Sequence, residues 1–174
     1  MEVVFDDDAD HRVRAQWSAL AAAGLPSQAR HTGASNRPHI TLALTDDITE
    51  EVRRQLAAAV AELPVPVMLG GLLMFGTRRV VLARLAVPSA ELLQLQARVL
   101  SALDGVVDPH GTFGPGRWTP HVTLARRLTA DQVARALEAL AGPLASGGPE
   151  LPGRLIRARL WDIQAKREHW VGPV

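Results

Sequence analysis

Pro38-His39-Ile40-Thr41-Leu42-Ala43 and Pro120-His121-Val122-Thr123-Leu124-Ala125 are one six-residue phrase written twice, differing only by an Ile/Val exchange. The histidines lie 82 residues apart in a chain of 174, so each copy falls near the middle of its own half. On an extended strand successive side chains point to opposite faces, which puts His39 and Thr41 on one side, roughly 7 Å apart, and Ile40 and Leu42 on the other. His121 and Thr123 stand in the same relation to Val122 and Leu124. A lone His in an apolar strand reads as a hydrogen-bonded core residue. Two copies in matching surroundings are another matter, because packing accounts for the Leu and Ala better than for the polar His and Thr.

The echo extends outward from both copies, as a duplication requires. After the first, Leu56, Val60 and Leu63 recur at helical spacing behind Thr49, and after the second, Leu137 and Leu140 follow Thr129. Both threonines read as helix N-caps, and Gln132 completes a capping box with Thr129. Ahead of the first copy come a strand from Val3 to Phe5 and a helix with Val13, Trp17 and Leu20 inward, opened by Asp6-Asp7-Asp8. Ahead of the second come a strand from Val80 to Val87 and a helix with Leu92, Leu95, Val99 and Leu103, opened by Pro88-Ser89 with Glu91.

Each half closes on an apolar strand, Val67 to Phe75 and Leu155 to Ile163, with Gly70-Gly71 marking a bulge in the former. Gly76-Thr77-Arg78-Arg79 turns one half tightly into the next. The order strand, helix, motif strand, helix, strand therefore occurs twice. It predicts a single domain over 1–174 made of two pseudo-symmetric lobes, with elements from about 1–75 and 80–163. Residues 24–37 and 104–118 are polar or Gly-rich loops long enough to act as lids, and 142–153 reads as a simple Gly- and Pro-containing connection.

Composition limits the chemistry. An apolar share of 47% suits an ordinary globular protein with a good-sized core. No run approaches the ~20 apolar residues that cross a bilayer, and the N-terminus lacks a signal-peptide pattern, so a cytoplasmic protein with no membrane role is expected, with no protein partner evident. With no Cys, disulfides, thiolate nucleophiles and thiolate metal sites are all excluded. A net charge of +1 is too small to mark a nucleic-acid binder by itself. The basic residues are 18 Arg to one Lys, a bias of composition that lowers the information in any one Arg.

Two imidazoles and two hydroxyls facing each other across a cleft suit in-line substitution at phosphorus. One group takes a proton from the attacking oxygen while another gives one to the leaving oxygen opposite. Histidine, with an ordinary pKa near 6.5, is the side chain whose two copies can be oppositely protonated near neutral pH. The threonine hydroxyls can donate to the non-bridging oxygens as charge builds there. This chemistry needs no metal or other cofactor.

On these residues the chain resembles the 2H phosphoesterase superfamily, whose members carry two H-x-T-x motifs in a duplicated domain, and within it the bacterial 2′-5′ RNA ligase-like branch. The resemblance implies an α+β, internally duplicated two-lobed fold, with two facing antiparallel-rich sheets, outer helices and a central cleft. It implies a metal-independent phosphoesterase acting on 2′,3′-cyclic phosphate ends of RNA or related cyclic nucleotides, with 2′-5′ RNA ligation as a reversible activity. Carried onto this chain, His39 and His121 are acid and base, and Thr41 and Thr123 hold the phosphate. For opening of a cyclic phosphate to a 2′-phosphate, His121 activates water and His39 protonates the departing 3′ oxygen.

Arg126, directly after the second motif where many relatives have Arg, is a candidate phosphate or ribose contact. Trp118 either stacks on a base or closes the rim of the core. Arg157 and Arg159 share a strand face with Trp161 and are weaker candidates for the cleft, while Phe75 reads as core. The chain departs from the ligase branch in continuing the first motif with Leu44-Thr45-Asp46 where many relatives have Phe-Leu-Gly. That departure loosens the ligase label and the substrate, not the superfamily.

The sequence offers two other readings. Asp6, Asp7, Asp8 and Asp10 with His11 suggest a metal site, but an acidic run before a helix is the ordinary N-terminal charge pattern. His31, His110 and His169 lack a partner pattern and read as surface or structural. The stronger competitor is a non-catalytic RNA-end or nucleotide-binding module that keeps the cleft without turnover.

Overall fold

Each expected helix starts at the side chain expected to cap it. In the computed structural model, which describes residues 1–45, 48–103, 111–147 and 150–172, the Asp6 carboxylate accepts from the Ala9 amide ahead of α1 (Asp7–Ala22). Thr49 accepts from Val52 ahead of α2 (Glu50–Ala59), and Ser89 accepts from Leu92 ahead of α3 (Ala90–Ala102). Thr129 and Gln132 exchange two hydrogen bonds ahead of α4 (Ala130–Gly147). A cap of this kind satisfies amide groups that the first turn leaves open and contributes about 1 kcal/mol.

Seven strands, β1 (Glu2–Phe5), β2 (His39–Thr41), β3 (Val65–Phe75), β4 (Val80–Ala86), β5 (His121–Leu128), β6 (Leu151–Asp162) and β7 (Arg167–Val171), form one sheet. Every pairing in it is antiparallel. The order is β2-β1-β6-β3-β4-β5, with β7 alongside β6. Exchanging β1, β2 and β3 for β4, β5 and β6 leaves that order unchanged. The closing strand of each half is laid against the other half, since β6 pairs with β1 and β3 with β4. The two motif strands stand at opposite ends of this path and yet touch, so the sheet is curled. The α+β architecture with outer helices is as expected, and its two facing half-sheets are continuous through β3 and β6.

The outer face carries the core. Helices α1 with α4, and α2 with α3, pack there over Val13, Trp17, Leu20, Leu92, Leu95 and Val99 together with Ile40, Leu42, Val122 and Leu124 of the motif strands. Full burial of a Leu or Ile side chain contributes roughly 1.5–3 kcal/mol, so these aliphatics fix which way each motif strand faces. Val4 and Ala83 are buried but lie outside that cluster, on the inner face. The Gly70-Gly71 bulge is present in β3, and buried Arg84 pins it by donating to the Leu69 and Gly70 carbonyls.

Several boundaries differ from expectation. The supposed connection at 142–153 carries the end of a helix and the start of a strand, because α4 runs through Pro143 to Gly147 and β6 starts at Leu151. Pro143 offers no amide to residue 139, but Leu140 and Leu144 pack on the core on either side of it, and that burial outweighs the break. Leu137 faces solvent, since the inward stripe of α4 runs through Ala136 and Leu140. Helix α2 stops at Ala59, leaving Val60 and Leu63 beyond its end, where both still pack on the core. Ile163 lies past the end of β6 and is exposed. Strand β7 was not expected, because Arg167-Glu168-His169-Trp170-Val171 is too polar to read as a strand; it pairs with β6 from Ala158 to Asp162. Asp46, His110 and residues 104–110 of the expected second loop lie outside the described residues. No helix among the described residues is long and apolar enough to cross a membrane.

Candidate active site

Both imidazoles are held in the same way. His39 Nδ1 is 2.8 Å from the Arg37 carbonyl, and His121 Nδ1 is 2.8 Å from the Thr119 carbonyl, each two residues upstream. A carbonyl only accepts, so Nδ1 carries the hydrogen and the neutral ring keeps its lone pair on Nε2. The motif strands present their side chains as the alternation predicts, with Ile40, Leu42, Val122 and Leu124 essentially inaccessible and His39, Thr41 and His121 half-buried. Thr123 is more enclosed, at 9% exposure.

The backbones of the two motifs are clamped by indoles from opposite halves. Trp118 Nε1 donates to the Thr41 carbonyl and Trp17 Nε1 to the Thr123 carbonyl, both at 3.0 Å. Strands β2 and β5 each have a sheet neighbour on one side only, which leaves outward carbonyls in need of donors. The two tryptophans supply them, and in doing so tie each motif to the other half of the chain. Trp118 therefore sits half-buried as a wall beside Thr41, with its one polar group engaged.

The surroundings of the two rings differ sharply. His39 Nε2 lies 3.4 Å from Glu2 Oε1. The other carboxylate oxygen of Glu2 accepts from Arg159 at 2.9 Å, and Arg159, 3% exposed, also donates at 2.7 Å to Glu168 and to the Ser35 carbonyl. His121 has an aromatic neighbour instead, the Phe75 ring, with centroids 4.7 Å apart. Burial pushes the His121 imidazole below the usual histidine range; the bond to the Thr119 carbonyl works the other way, and the positive charges of Arg126 and His39 lower it further. The contact of β2 with β5 places His39 among the groups whose charge acts on His121.

Arg126 is exposed, and two residues, Arg126 and Arg127, stand against the single Val81 at a bulge where Arg127 takes a left-handed φ of 64°. Among the described residues no three His, Cys, Asp or Glu side chains converge to hold a metal. Asp6 serves as the cap of α1, while Asp8 and Asp10 pair along that helix with Arg12 and Arg14. A cavity of about 400 Å³ near the β6–β7 hairpin, lined by Met1, Trp161 and His169 among others, includes neither motif histidine.

Sequence reasoning missed Glu2, Arg159 in its paired role, and the packing of Phe75 on His121. The one available signal was a carboxylate in an otherwise apolar first strand, Glu2-Val3-Val4-Phe5.

A curled antiparallel sheet whose symmetric order brings two His-x-Thr strands together is the arrangement of a 2H phosphoesterase. Residues 7–167 match the family described as the 2′-5′ RNA ligase superfamily, and the chain belongs to it. The structure of Kluyveromyces marxianus Usb1 has the same fold, with a TM-score of 0.52 at 14% identity over 100% of this chain and 95% of that one. A structure of the same yeast protein with uridine monophosphate aligns with a TM-score of 0.44 at 16% identity, over 87% of this chain and 88% of that one. No curated protein sequence matches the chain. Family membership makes the protein an enzyme of phosphoesterase type.

Proposed function

We propose that the protein is a metal-independent cyclic phosphodiesterase that opens 2′,3′-cyclic phosphates at RNA ends or on related nucleotides, with one domain of two repeated lobes each contributing a His-x-Thr strand. His121 is the general base. Its Nε2 takes a proton from water as the water oxygen attacks phosphorus. His39 is the general acid, giving its Nε2 proton to the 3′ oxygen as the P–O3′ bond breaks, so that a 2′-phosphate and a free 3′-hydroxyl result. Thr41 and Thr123 donate to the non-bridging oxygens, with Arg126 adding positive charge and Trp118 forming a wall. The same proton transfers with a ribose 5′-hydroxyl in place of water describe 2′-5′ bond formation, and run backwards they describe its cleavage to the cyclic phosphate.

The observation that carries this reading is the unequal environment of two rings held in the same tautomer. A base must be neutral at rest, and burial favours the neutral form of His121. An acid must hold a proton on Nε2, and Glu2 stands 3.4 Å from that atom of His39 as an acceptor. Two titratable groups whose surroundings differ in this sense are the usual mark of an acid–base pair.

The test uses an oligoribonucleotide ending in a 2′,3′-cyclic phosphate, incubated in EDTA with wild type, His39→Ala and His121→Ala. Conversion by wild type alone, to a 2′-phosphate end, is expected. Tight binding without conversion would establish a binding module instead. Loss of conversion on adding EDTA would overturn the metal-independent mechanism, and undiminished activity in either variant would overturn the assignment of the histidines.

A further inference from the structure

The inner face that carries His39 continues across β1 onto β6 and β7. Val4 of β1 stands opposite both His39 and Arg157, and Glu2 stands opposite both Thr41 and Arg159. Side chains in register across neighbouring strands share a face. Arg157 and Arg159 therefore lie on the same face as the imidazole, and Ala158 and Leu160 are buried in the core on the other side. Two strand spacings separate Arg157 from His39, or about 10 Å.

These two arginines are treated very differently. Arg159 is saturated by Glu2, Glu168 and the Ser35 carbonyl. Arg157 is half-buried and, among the described residues, has no ion pair; its guanidinium rests on the Trp170 ring, 4.0 Å from the centroid. Stacking uses the flat face of a guanidinium and leaves its N–H donors, which radiate in the plane, available to an anion. A second cation approaches the same indole, since Arg37 lies 5.2 Å from its centroid. Arg37 Nη2 lies 3.9 Å from Glu168 Oε1, while its Nε is buried with no hydrogen-bond partner. Half-buried positive charge braced on an aromatic ring, with open donors beside a phosphate-handling site, fits an oxyanion of the substrate.

We propose that Arg157, braced by Trp170 and flanked by Arg37, binds the phosphodiester that precedes the reacting phosphate, so that the substrate is the end of a single-stranded oligoribonucleotide and not a free mononucleotide. The inference rests on the proposed cyclic-phosphate chemistry for the identity of the reacting group, but the subsite can be tested by binding alone. A planar fork that meets a phosphate bidentately supplies both affinity and register. Trp170 holds the fork in place, which lowers the entropy lost when the phosphate arrives.

The experiment compares a nucleoside 2′,3′-cyclic monophosphate with a trinucleotide ending in the same group, by kcat/KM and by equilibrium binding to the catalytically silenced His121→Ala protein. Wild type should prefer the trinucleotide, and Arg157→Gln should lower the trinucleotide-to-mononucleotide ratio about tenfold, as expected for one charge-assisted phosphate contact. The dependence of trinucleotide binding on salt should weaken by about one ion. Trp170→Leu should lower the same ratio less, because it frees the guanidinium without removing it. An unchanged ratio in Arg157→Gln, wild type holding both ligands equally, or an acidic peptide competing as well as the trinucleotide would each overturn the subsite. If wild type turns over neither ligand, the proposed reaction fails, and the binding ratio still decides the subsite.

Discussion

The strands that carry His39 and His121 share five of six residues, the same carbonyl clamp on Nδ1 and the same indole bond to the threonine carbonyl, yet their neighbours have little in common. Opposite Thr41 on the adjacent strand is Glu2; opposite Thr123 it is Ala83. Beyond Glu2 lies Arg159 and a second carboxylate, whereas beside His121 lies the ring of Phe75. Duplication thus repeats what positions a ring, namely strand direction, tautomer and edge clamp. What differs is the company each ring keeps, Glu2 with Arg159 beside His39 and the Phe75 ring beside His121. A symmetric scaffold thus gives its two rings unequal surroundings, which suits the acid–base pair proposed above, since the two proton transfers of an in-line displacement run in opposite senses.

The largest expected effect comes from removing the rings. His39→Ala and His121→Ala should each lower kcat/KM for cyclic-phosphate opening by about 10²–10⁴. The comparison becomes sharper with an aryl phosphodiester whose leaving group needs no proton. There His39→Ala should recover most of its rate, because only the acid has become dispensable, while His121→Ala should stay inactive. Equal recovery in both variants would break the division of roles.

Stability should separate the surroundings of the two motifs as well. Arg159→Met leaves Glu2 and Glu168 facing each other without their shared cation, which for a pair this enclosed should cost about 3 kcal/mol in urea unfolding. Arg126→Met, at an exposed position beside the second motif, should stay within about 0.5 kcal/mol. Comparable losses would mean that the Glu2–Arg159 network is not the feature that distinguishes the surroundings of His39.

The indole clamps come next in size. Trp17→Phe and Trp118→Phe each remove one hydrogen bond to a motif carbonyl, worth about 1 kcal/mol. The buried Trp17 should cost more than the half-buried Trp118, whose carbonyl partner can turn to water. Thermal melts of the two single variants test this, and the reverse order would show that the edge at β2 is the more enclosed.

Much of this was legible in the chain, for a reason visible in particular residues. Asp6, Thr49, Ser89 and Thr129 act on amides three residues away, so their roles follow from local spacing. The alternation that buries Ile40 and Leu42 while turning His39 and Thr41 outward is equally local. Glu2 acquires its meaning only when β1 is laid between β2 and β6, which brings residues 2, 41 and 159 into one row. Phe75 looked like core because a ring at the end of an apolar strand usually is, and nothing nearby in the chain announces His121 as its partner. Strand β7 escaped notice because it is polar and relies on β6 for its pairing; with it went the significance of Trp170 for Arg157.

The smallest effect should appear at Arg126, and its sign follows from linkage. The His121 pKa in the folded chain lies below its ordinary 6.5, so between those two values the unfolded chain holds a proton that the folded chain does not. Stability therefore rises with pH across that window; the contribution is fully present above the unfolded value and is lost as pH falls through the folded one. The acidic limb of kcat/KM, which reports protonation of the base, should lie below 6.5 for the same reason. Arg126→Gln removes one of the causes that push this pKa down, so the limb should move upward and the stability window should narrow. Burial, the larger cause, remains, so the limb should still fall short of the ordinary histidine value. A pH–rate profile of the variant beside wild type reads this directly, and a limb that stays put or moves downward would mean that the Arg126 charge does not reach the imidazole. The asymmetry of the two rings would then rest on the Phe75 enclosure and the Glu2 contact alone.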